Sequence, residues 1–380
     1  MIYRDFKGLR LSALGFGTMR LPVLQGEYGK IDEKAAAEMF DYAIRRGVNY
    51  FDTAWGYHDG ASETAVGKLL SAYPRDRYFL ATKFPGYDLA NIDKVEEIFE
   101  TQLKKCRTGY FDFYLFHNVC EMNIDAYLDE SHGIFAYLKK QKEAGRIRHL
   151  GFSAHGSFSV IERFLEKYGK EMEFCQLQIN YLDWTFQRAK EKVELLKKHS
   201  IPVWVMEPLR GGKLARLSAE NEAALRALRP NESIPAWAFR FLLDVPDVKV
   251  ILSGMSDLEQ VRDNVATFET ERPLNRNERD ALMSMAEGMY KNSVLPCTAC
   301  RYCTSHCPRH LNIPELIKLY NEHRFTGGGF IAPMALSALP QDQWPSACVG
   351  CRSCEKVCPQ QIRISEMMKD FTARLQKDEE

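Results

Sequence analysis

One cysteine figure occurs twice in this chain, and the duplication constrains what the chain can fold into more than any other feature. Cys297, Cys300, Cys303 and Cys307 run into Pro308, and Cys348, Cys351, Cys354 and Cys358 run into Pro359 at a constant offset. The copy extends past the thiols. Arg301 matches Arg352, Leu311 matches Ile362, Ile313 matches Ile364 and Glu315 matches Glu366, so a structural unit has been duplicated along with its sulfur ligands. Zinc knuckles and a disulfide framework are the competing uses of such thiols. Structural zinc sites pair C-x2-4-C arms from separated segments, and disulfides require an oxidising compartment. Cys106, Cys120 and Cys175 lie far from both figures and read as small buried apolar residues.

The spacing C-x2-C-x2-C-x3-C-P resembles that of bacterial-type ferredoxins, which hold 4Fe-4S clusters by four thiolates, so two clusters are expected. In two-cluster ferredoxins the cysteine before proline completes the other cluster. The resemblance therefore implies that Cys297, Cys300, Cys303 and Cys358 hold one cluster, and that Cys348, Cys351, Cys354 and Cys307 hold the second.

The 380 residues suffice for one large domain and a small one, and a hydrophobic content of 45% supports an extensive core. Basic and acidic residues balance at 51 each, which argues against nucleic acid or an anionic membrane as partner. The N-terminal residues show no apolar region followed by a small-residue cleavage site, and no run is long enough to span a bilayer. A cytoplasmic location, where thiols stay reduced, is the expectation.

Up to about residue 270 short apolar runs alternate with amphipathic stretches, the pattern of a parallel α/β fold. Eight strands are predicted, over 11–17, 48–52, 77–83, 112–117, 147–153, 174–180, 202–207 and 248–254. Helices with apolar residues at three- and four-residue steps are predicted over 33–46, 94–105, 126–143, 160–168, 188–199 and 258–265. Eight strand–helix units in this length imply a (β/α)8 TIM barrel, with residues 3–12 forming a ribbon across its floor. The expected division is a barrel over 1–270, a bridging helix over 271–292 opened by the capping pair Asn275 and Glu278, and a small, mainly α-helical ferredoxin-like domain over 293–380. Helices are predicted there over 313–324 and 364–375, with a break at Gly327–Gly329 and a frayed acidic tip at 378–380.

Three predicted strands end on an ionisable residue, Asp52, Lys83 and His117, and in a barrel such ends converge on one mouth. Tyr57 follows Asp52 by five residues. Carbonyl reduction needs a proton donor, and a phenol of ordinary pKa about 10 is too weak an acid unaided. Lys83 would lower the Tyr57 pKa, Asp52 would hold Lys83, and His117 would orient the substrate oxygen. Taken singly, each residue is equally well a helix cap, a surface charge or a packed histidine.

These residues resemble the catalytic tetrad of the aldo-keto reductase family, and the resemblance covers the whole predicted barrel. Further matches are Gly17-Thr18, Ser153 in GFSAHG, Gln178 in QLQIN, the loop from Glu207 to Gly212, and Asn264. The cysteine region looks like the ferredoxin-type extension of one branch of that family. The resemblance implies a nicotinamide dinucleotide across the barrel mouth, bordered by Thr18, Met19, Asp52, Ser153, Gln178, Met206, Leu209, Gly254, Gln260 and Asn264, with its amide near Ser153 and Gln178. It also implies a small-molecule carbonyl substrate between Tyr57 and His117. The chain departs from the family at Ala154 and Met206, and at Gly254 and Gln260, where cations would grip a 2'-phosphate. Their loss favours NADH over NADPH, although Arg210 and Arg262 could compensate.

Clusters move electrons singly and nicotinamide moves a hydride, so coupling them calls for a flavin or for a substrate that accepts single electrons. The leading reading is an iron–sulfur oxidoreductase drawing on NAD(P)H, on the clusters or on both, with a redox protein as a candidate partner. The alternatives are a carbonyl reductase whose clusters are structural, and an electron-transfer or redox-sensing protein whose barrel binds a ligand without turnover. Trp55, Phe84, Tyr87 and Tyr181 are candidates for an apolar mouth, and the sequence leaves substrate and oligomeric state open.

Overall fold

A computed structural model describes residues 1–291 and 294–378; residues 379–380 of the expected acidic tip lie outside the described residues. The chain divides into two compact units, Met1–Met283 and Ser284–Glu380, and the dividing point falls inside the helix Arg276–Lys291. No helix among the described residues is long and apolar enough to cross a membrane.

The first unit opens with an antiparallel ribbon, β1 (Tyr3–Phe6) and β2 (Leu9–Ser12). Eight parallel strands follow: β3 (Leu14–Gly17), β4 (Tyr50–Asp52), β5 (Phe79–Phe84), β6 (Phe111–Val119), β7 (Ile147–Ala154), β8 (Cys175–Gln178), β9 (Val203–Met206) and β10 (Val248–Gly254). They pair in chain order, and β10 closes onto β3. The register sets Gly254 beside Gly17, Gly17 beside Asp52, and Gln178 beside Met206, so the C-terminal strand ends form one rim.

The ribbon closes the opposite end. Phe6 packs edge-on against Trp204 at 5.0 Å and His149 at 5.1 Å between ring centroids. With Leu11 it completes an interior layer of Tyr50, Phe113, Phe174 and Trp204. The barrel is thus filled by side chains at this end.

The helix predicted over 126–143 is interrupted. Ile124–Leu128 is followed by a 3-10 turn, Glu130–His132, and by a second helix, Ile134–Glu143. Asp129 accepts from Ser131 N at 2.9 Å and Gly133 takes φ +68°, which turns the chain where continuous apolar spacing suggested a single helix. The helices Ser62–Leu70, Ala219–Leu228 and Ile234–Leu243 were not foreseen. The last is apolar nearly all round and buried, so it carries no one-sided stripe. Ser62–Leu70 contains Gly67, where an added Cβ would lie 2.4 Å from Lys105 O on the neighbouring helix Val95–Lys105. Close helix packing, not a turn, explains that glycine.

Asn275 and Glu278 form a reciprocal box: Glu278 N donates to Asn275 Oδ1 at 3.0 Å, and Asn275 N donates to Glu278 Oε2 at 2.8 Å. In the second unit the helices Ile313–Thr326, Ile331–Ser337 and Ile364–Asp378 enclose a core that includes Leu311, Ile313, Ile362 and Ile364, the repeat-equivalent apolar pairs. Gly327, Gly328 and Gly329 all take positive φ and end the first of these helices.

Because Phe6 seals the floor, Phe6→Ala is expected to destabilise the barrel by about 3–5 kcal/mol, and Phe6→Leu by less than about 1.5 kcal/mol. Denaturant midpoints followed by tryptophan fluorescence measure both. Equal midpoints for wild type and Phe6→Ala would show that the ribbon is not part of the core.

Candidate active site

Lys83 stands near the C-terminal end of β5 with no exposed side-chain surface, and its Nζ lies 2.6 Å from Asp52 Oδ1 at the end of β4. It also donates to Thr53 O at 2.8 Å. The Tyr57 ring covers this ammonium, with its centroid 5.2 Å from Nζ. Tyr57 reaches that place because the loop after β4 turns tightly, its N–H donating to Ala54 O, while Thr53 Oγ1 and Ser62 Oγ bond at 2.9 Å. His117, near the end of β6, meets the Tyr57 ring edge-on at 6.2 Å and the Tyr87 ring at 5.0 Å. The three strand-end residues and Tyr57 from the loop after β4 therefore share one small volume.

Burial raises the pKa of Asp52 and lowers that of Lys83, while each opposes the other's shift through their ion pair. Burial also holds His117 well below the usual histidine range, helped by the Lys83 charge, so its imidazole is neutral near pH 7. Its Nδ1 is buried without a protein partner. The expectation for Tyr57 is corrected: burial, then the Asp52 and Glu207 carboxylates, push its phenol well above the ordinary tyrosine range. Lys83 spends its charge on Asp52 and Thr53 O, and Tyr57 keeps its proton.

The residues expected around a dinucleotide fall into two groups. Thr18 is buried and committed to the scaffold, with its Oγ1 bonded to Asp52 O and Ser62 Oγ at 2.9 Å. Asn264 Nδ2 donates to Ser253 Oγ at 3.0 Å, and Gln260 Nε2 donates to Asp257 Oδ2 at 2.8 Å, closing the first turn of the helix Leu258–Glu269. Ser153, Gln178, Met206 and Leu209 sit at or just past the ends of β7, β8 and β9, on the rim. Ser153 Oγ accepts from Asn118 N at 2.8 Å, and Gln178 Nε2 donates to Asp183 Oδ2 at 2.8 Å. Met206 Sδ takes a long 3.7 Å contact from Gln176 Nε2. Met19 and Gly254 are exposed.

Asp183, Asn180 and Arg20 were not foreseen at the rim, and Arg210, named as a possible cation for a 2'-phosphate, is committed to Asp183. Asp183 and Arg210 form a buried pair, with Arg210 Nε 3.1 Å from both carboxylate oxygens, and Asn180 Nδ2 donates to Asp183 at 2.8 Å. Glu207 and Arg210 hold left-handed backbone, φ 56° and 48°, in the loop after β9. Such strain in non-glycine residues persists only where surrounding contacts impose it. Arg20 lies across Gly254, so that a Cβ there would meet Arg20 Cγ at 2.8 Å, and its guanidinium turns towards Gly211. Its charge also reaches the Glu207 carboxylate. Of the aromatic residues proposed for the mouth, Phe84 and Tyr181 are core residues, Trp55 covers Lys105 at 4.0 Å, and Tyr87 meets His117.

In the second unit the eight repeat thiols line two open cavities. Cys297, Cys300, Cys303 and Cys358 border one of ≈ 320 Å³; Cys307, Cys348, Cys351 and Cys354 border the other, of ≈ 330 Å³. Ala299 and Arg301 have positive φ, and so do their repeat equivalents Gly350 and Arg352. Alternating left-handed residues turn successive N–H groups inward, a concavity suited to anionic iron–sulfur centres. Ala299 N accordingly donates to Cys297 Sγ at 3.4 Å. The C-x2-C-x2-C-x3-C-P spacing, without the paired arms of a zinc knuckle, fits these thiols to a polynuclear iron–sulfur group better than to zinc.

Residues 296–363 match the 4Fe-4S dicluster domain profile. The chain is 26% identical over 326 residues to the NADH-specific methylglyoxal reductase of Escherichia coli, with 74% of this chain and 96% of that protein covered. It is 26% identical over 283 residues to the L-galactose dehydrogenase of Arabidopsis thaliana, covering 68% of this chain and 85% of that one. Among solved structures, the holo form of aldo-keto reductase AKR11C1 from Bacillus halodurans superposes with a TM-score of 0.61 at 27% identity, over 75% of this chain and 96% of that one. Residues 13–287 match the profile of the aldo/keto reductase family, and the closed eight-stranded parallel barrel accords with that match: the chain belongs to that family of oxidoreductases.

Proposed function

We propose that the barrel reduces a small carbonyl compound at the rim where Asp52, Tyr57, Lys83 and His117 meet, with a nicotinamide dinucleotide as electron source. The second unit then holds two 4Fe-4S clusters, one on Cys297, Cys300, Cys303 and Cys358, the other on Cys307, Cys348, Cys351 and Cys354. The observation that carries the reading is the Lys83 ammonium, without solvent exposure, tied to Asp52 beneath the Tyr57 ring.

Each residue has a physical task there. Tyr57 keeps its proton until negative charge develops on the substrate oxygen, then transfers it, and Lys83 offsets the charge left on the phenolate. Asp52 keeps that ammonium charged in a dry site. Neutral His117 can aim an N–H at the same oxygen without competing as an acid.

A bound nicotinamide would supply the hydride, and a bound cluster would exchange single electrons. Ser153 retains its hydroxyl hydrogen after accepting from Asn118 N, and Gln178 has donor and acceptor capacity beyond its bonds to Asp183 and His155, so both suit a carboxamide. Gly254 offers no side chain and Gln260 is spent on its helix cap, while Arg20 faces Glu207. With no cation at positions 254 and 260, NADH is the favoured dinucleotide. The E. coli relative named for NADH specificity points the same way.

Tyr57→Phe is expected to lower methylglyoxal reduction with NADH by roughly two to four orders of magnitude, the span of general acid catalysis, and to leave NADH affinity by fluorescence titration nearly unchanged. An unaltered rate, or a wild-type protein that turns over no aldehyde, would favour the electron-transfer reading of the barrel.

The pH dependence follows from Lys83. Its pKa lies below the ordinary lysine value, whereas Tyr57 lies well above its own, so the lysine proton leaves first as pH rises. Reduction should hold through neutral pH and fall on the alkaline side below about pH 10.5. A rate flat beyond that point would remove Lys83 from the mechanism.

Anaerobically prepared protein is expected to carry close to eight irons with matching sulfide. Cys307→Ser and Cys348→Ser should abolish the same EPR signal, and Cys358→Ser and Cys297→Ser the other one. Pairing of Cys307 with Cys297 would overturn the crossed ligand sets.

A further inference from the structure

Beneath the rim lies a carboxylate that the proposed chemistry does not use. Glu63, in the first turn of the helix Ser62–Leu70, has no exposed surface. Its Oε1 accepts from Thr82 Oγ1 and from Gln102 Nε2, both at 2.7 Å, and its Oε2 lies 3.6 Å from Lys105 Nζ. Burying a carboxylate is costly unless it is paired and hydrogen-bonded, and a helix first turn needs no buried acid.

Each of its partners leads to the reduction site. Thr82 directly precedes Lys83 on β5. Gln102 Nε2 also donates to Lys83 O at 2.9 Å, and Tyr114 OH donates to Gln102 Oε1 at 2.6 Å, which fixes the orientation of the amide. Lys105 Nζ lies 4.0 Å from the centre of the Trp55 ring and donates to Gly60 O at 3.4 Å, so it clasps both ends of the loop that carries Tyr57. The preceding residue, Ser62, bonds Thr18 and Thr53 on the Asp52 side. The start of one helix thus reads the strand of Asp52, the strand of Lys83 and the loop of Tyr57 together.

We propose that Glu63 is a positioning residue for the reduction site: it ties the Lys83 strand to the Tyr57 loop and supplies a second buried negative charge that keeps Lys83 protonated. The proposal rests on the carbonyl-reduction reading above. Asp52 alone must otherwise hold an ammonium in a dry site, and burial works against it. The Glu63 charge acts on Lys83 in the same sense as Asp52. The groups that face Glu63 are Lys105 and Cys106 from the helix Val95–Lys105 and its end, Tyr114 from β6, Tyr87 from the loop after β5, and Lys83 itself. Those that face Lys83 are Asp52, Tyr57 and His117. Burial raises the Glu63 pKa, and the Thr82 hydrogen bond, the Lys105 charge and the Gln102 hydrogen bond oppose that rise; Cys106 and the tyrosines are pushed up by burial and stay neutral.

The test compares Glu63→Gln, Glu63→Asp and Gln102→Met in the full chain. Two measurements are made: the pH profile of kcat for methylglyoxal with NADH, and the 15N titration of Lys83 Nζ in lysine-labelled protein, assigned with Lys83→Met. Glu63→Gln keeps an acceptor for Thr82 and Gln102 but removes the charge, so the alkaline limb and the Nζ titration should both move down by roughly one pH unit. Glu63→Asp restores the charge and should bring both back. Gln102→Met cuts the tether, and should lower kcat about tenfold with the limb in place. If Glu63→Gln leaves the Nζ titration where it is in wild type, Glu63 is a packing residue and the proposal is wrong. Should Glu63→Gln fail to fold, Gln102→Met decides, since an unchanged kcat overturns the tether. The Nζ titration needs no turnover, so a protein that reduces no carbonyl defeats the reduction reading without obscuring this result.

Discussion

The chemistry proposed for the barrel depends on keeping one positive charge where water cannot reach it. An isolated ammonium in an apolar interior would lose its proton, and breaking a buried pair by removing one partner generally costs about 3–5 kcal/mol. Here the charge is held by Asp52 and by a backbone carbonyl, each placed by the same strand end. Parallel strands in register make this feasible: β3, β4 and β5 bring Gly17, Asp52 and Ala81 level, which sets Lys83 just above Asp52 on the neighbouring strand. Everything at the rim, from the Tyr57 ring to neutral His117, is arranged around that fixed point.

Rigidity around it comes from polar groups that bond each other instead of solvent. Thr18, Thr53 and Ser62 lock the Asp52 side, while Asp183, Arg210 and Asn180 lock the loops after β8 and β9, where two residues hold left-handed backbone. Satisfied polar networks of this kind specify one geometry more sharply than apolar packing does. Strand ends give such groups little freedom to move, as the proposed hydride and proton transfer would require.

The second unit solves a different problem. Few residues surround its cavities, and its core is small, so its loops depend on the backbone itself to meet an anionic centre. Repeated left-handed residues at Ala299, Arg301, Gly350 and Arg352 turn N–H groups towards the sulfurs. Glycine suits such a position without strain and alanine does not, so the first copy holds at Ala299 a conformation that the second adopts freely at Gly350.

Covalent spacing and periodicity are local properties, and what they govern could be read directly. Cysteine spacing, eight apolar runs, strand-end ionisable residues and the Asn275–Glu278 box all involve neighbours within a few positions, and the observed elements lie where those patterns put them. The break at Asp129–Gly133 escaped because apolar spacing continues across it, and the all-round apolar helix Ile234–Leu243 escaped because burial on every side erases amphipathic periodicity. Long-range partners were the main omission. That Gln260 bonds its own helix cap, that Arg20 covers Gly254, that Glu63 meets Gln102 and Lys105, and that Tyr57 is pushed above its ordinary pKa all depend on which groups closure of the barrel brings within hydrogen-bond or Coulomb range. Sequence by itself determined the oxidoreductase family, the thiol spacing and which ionisable residues stand at which strand ends; only the tertiary structure decided which charges are buried together, because desolvation and pairing depend on distance through space and not along the chain.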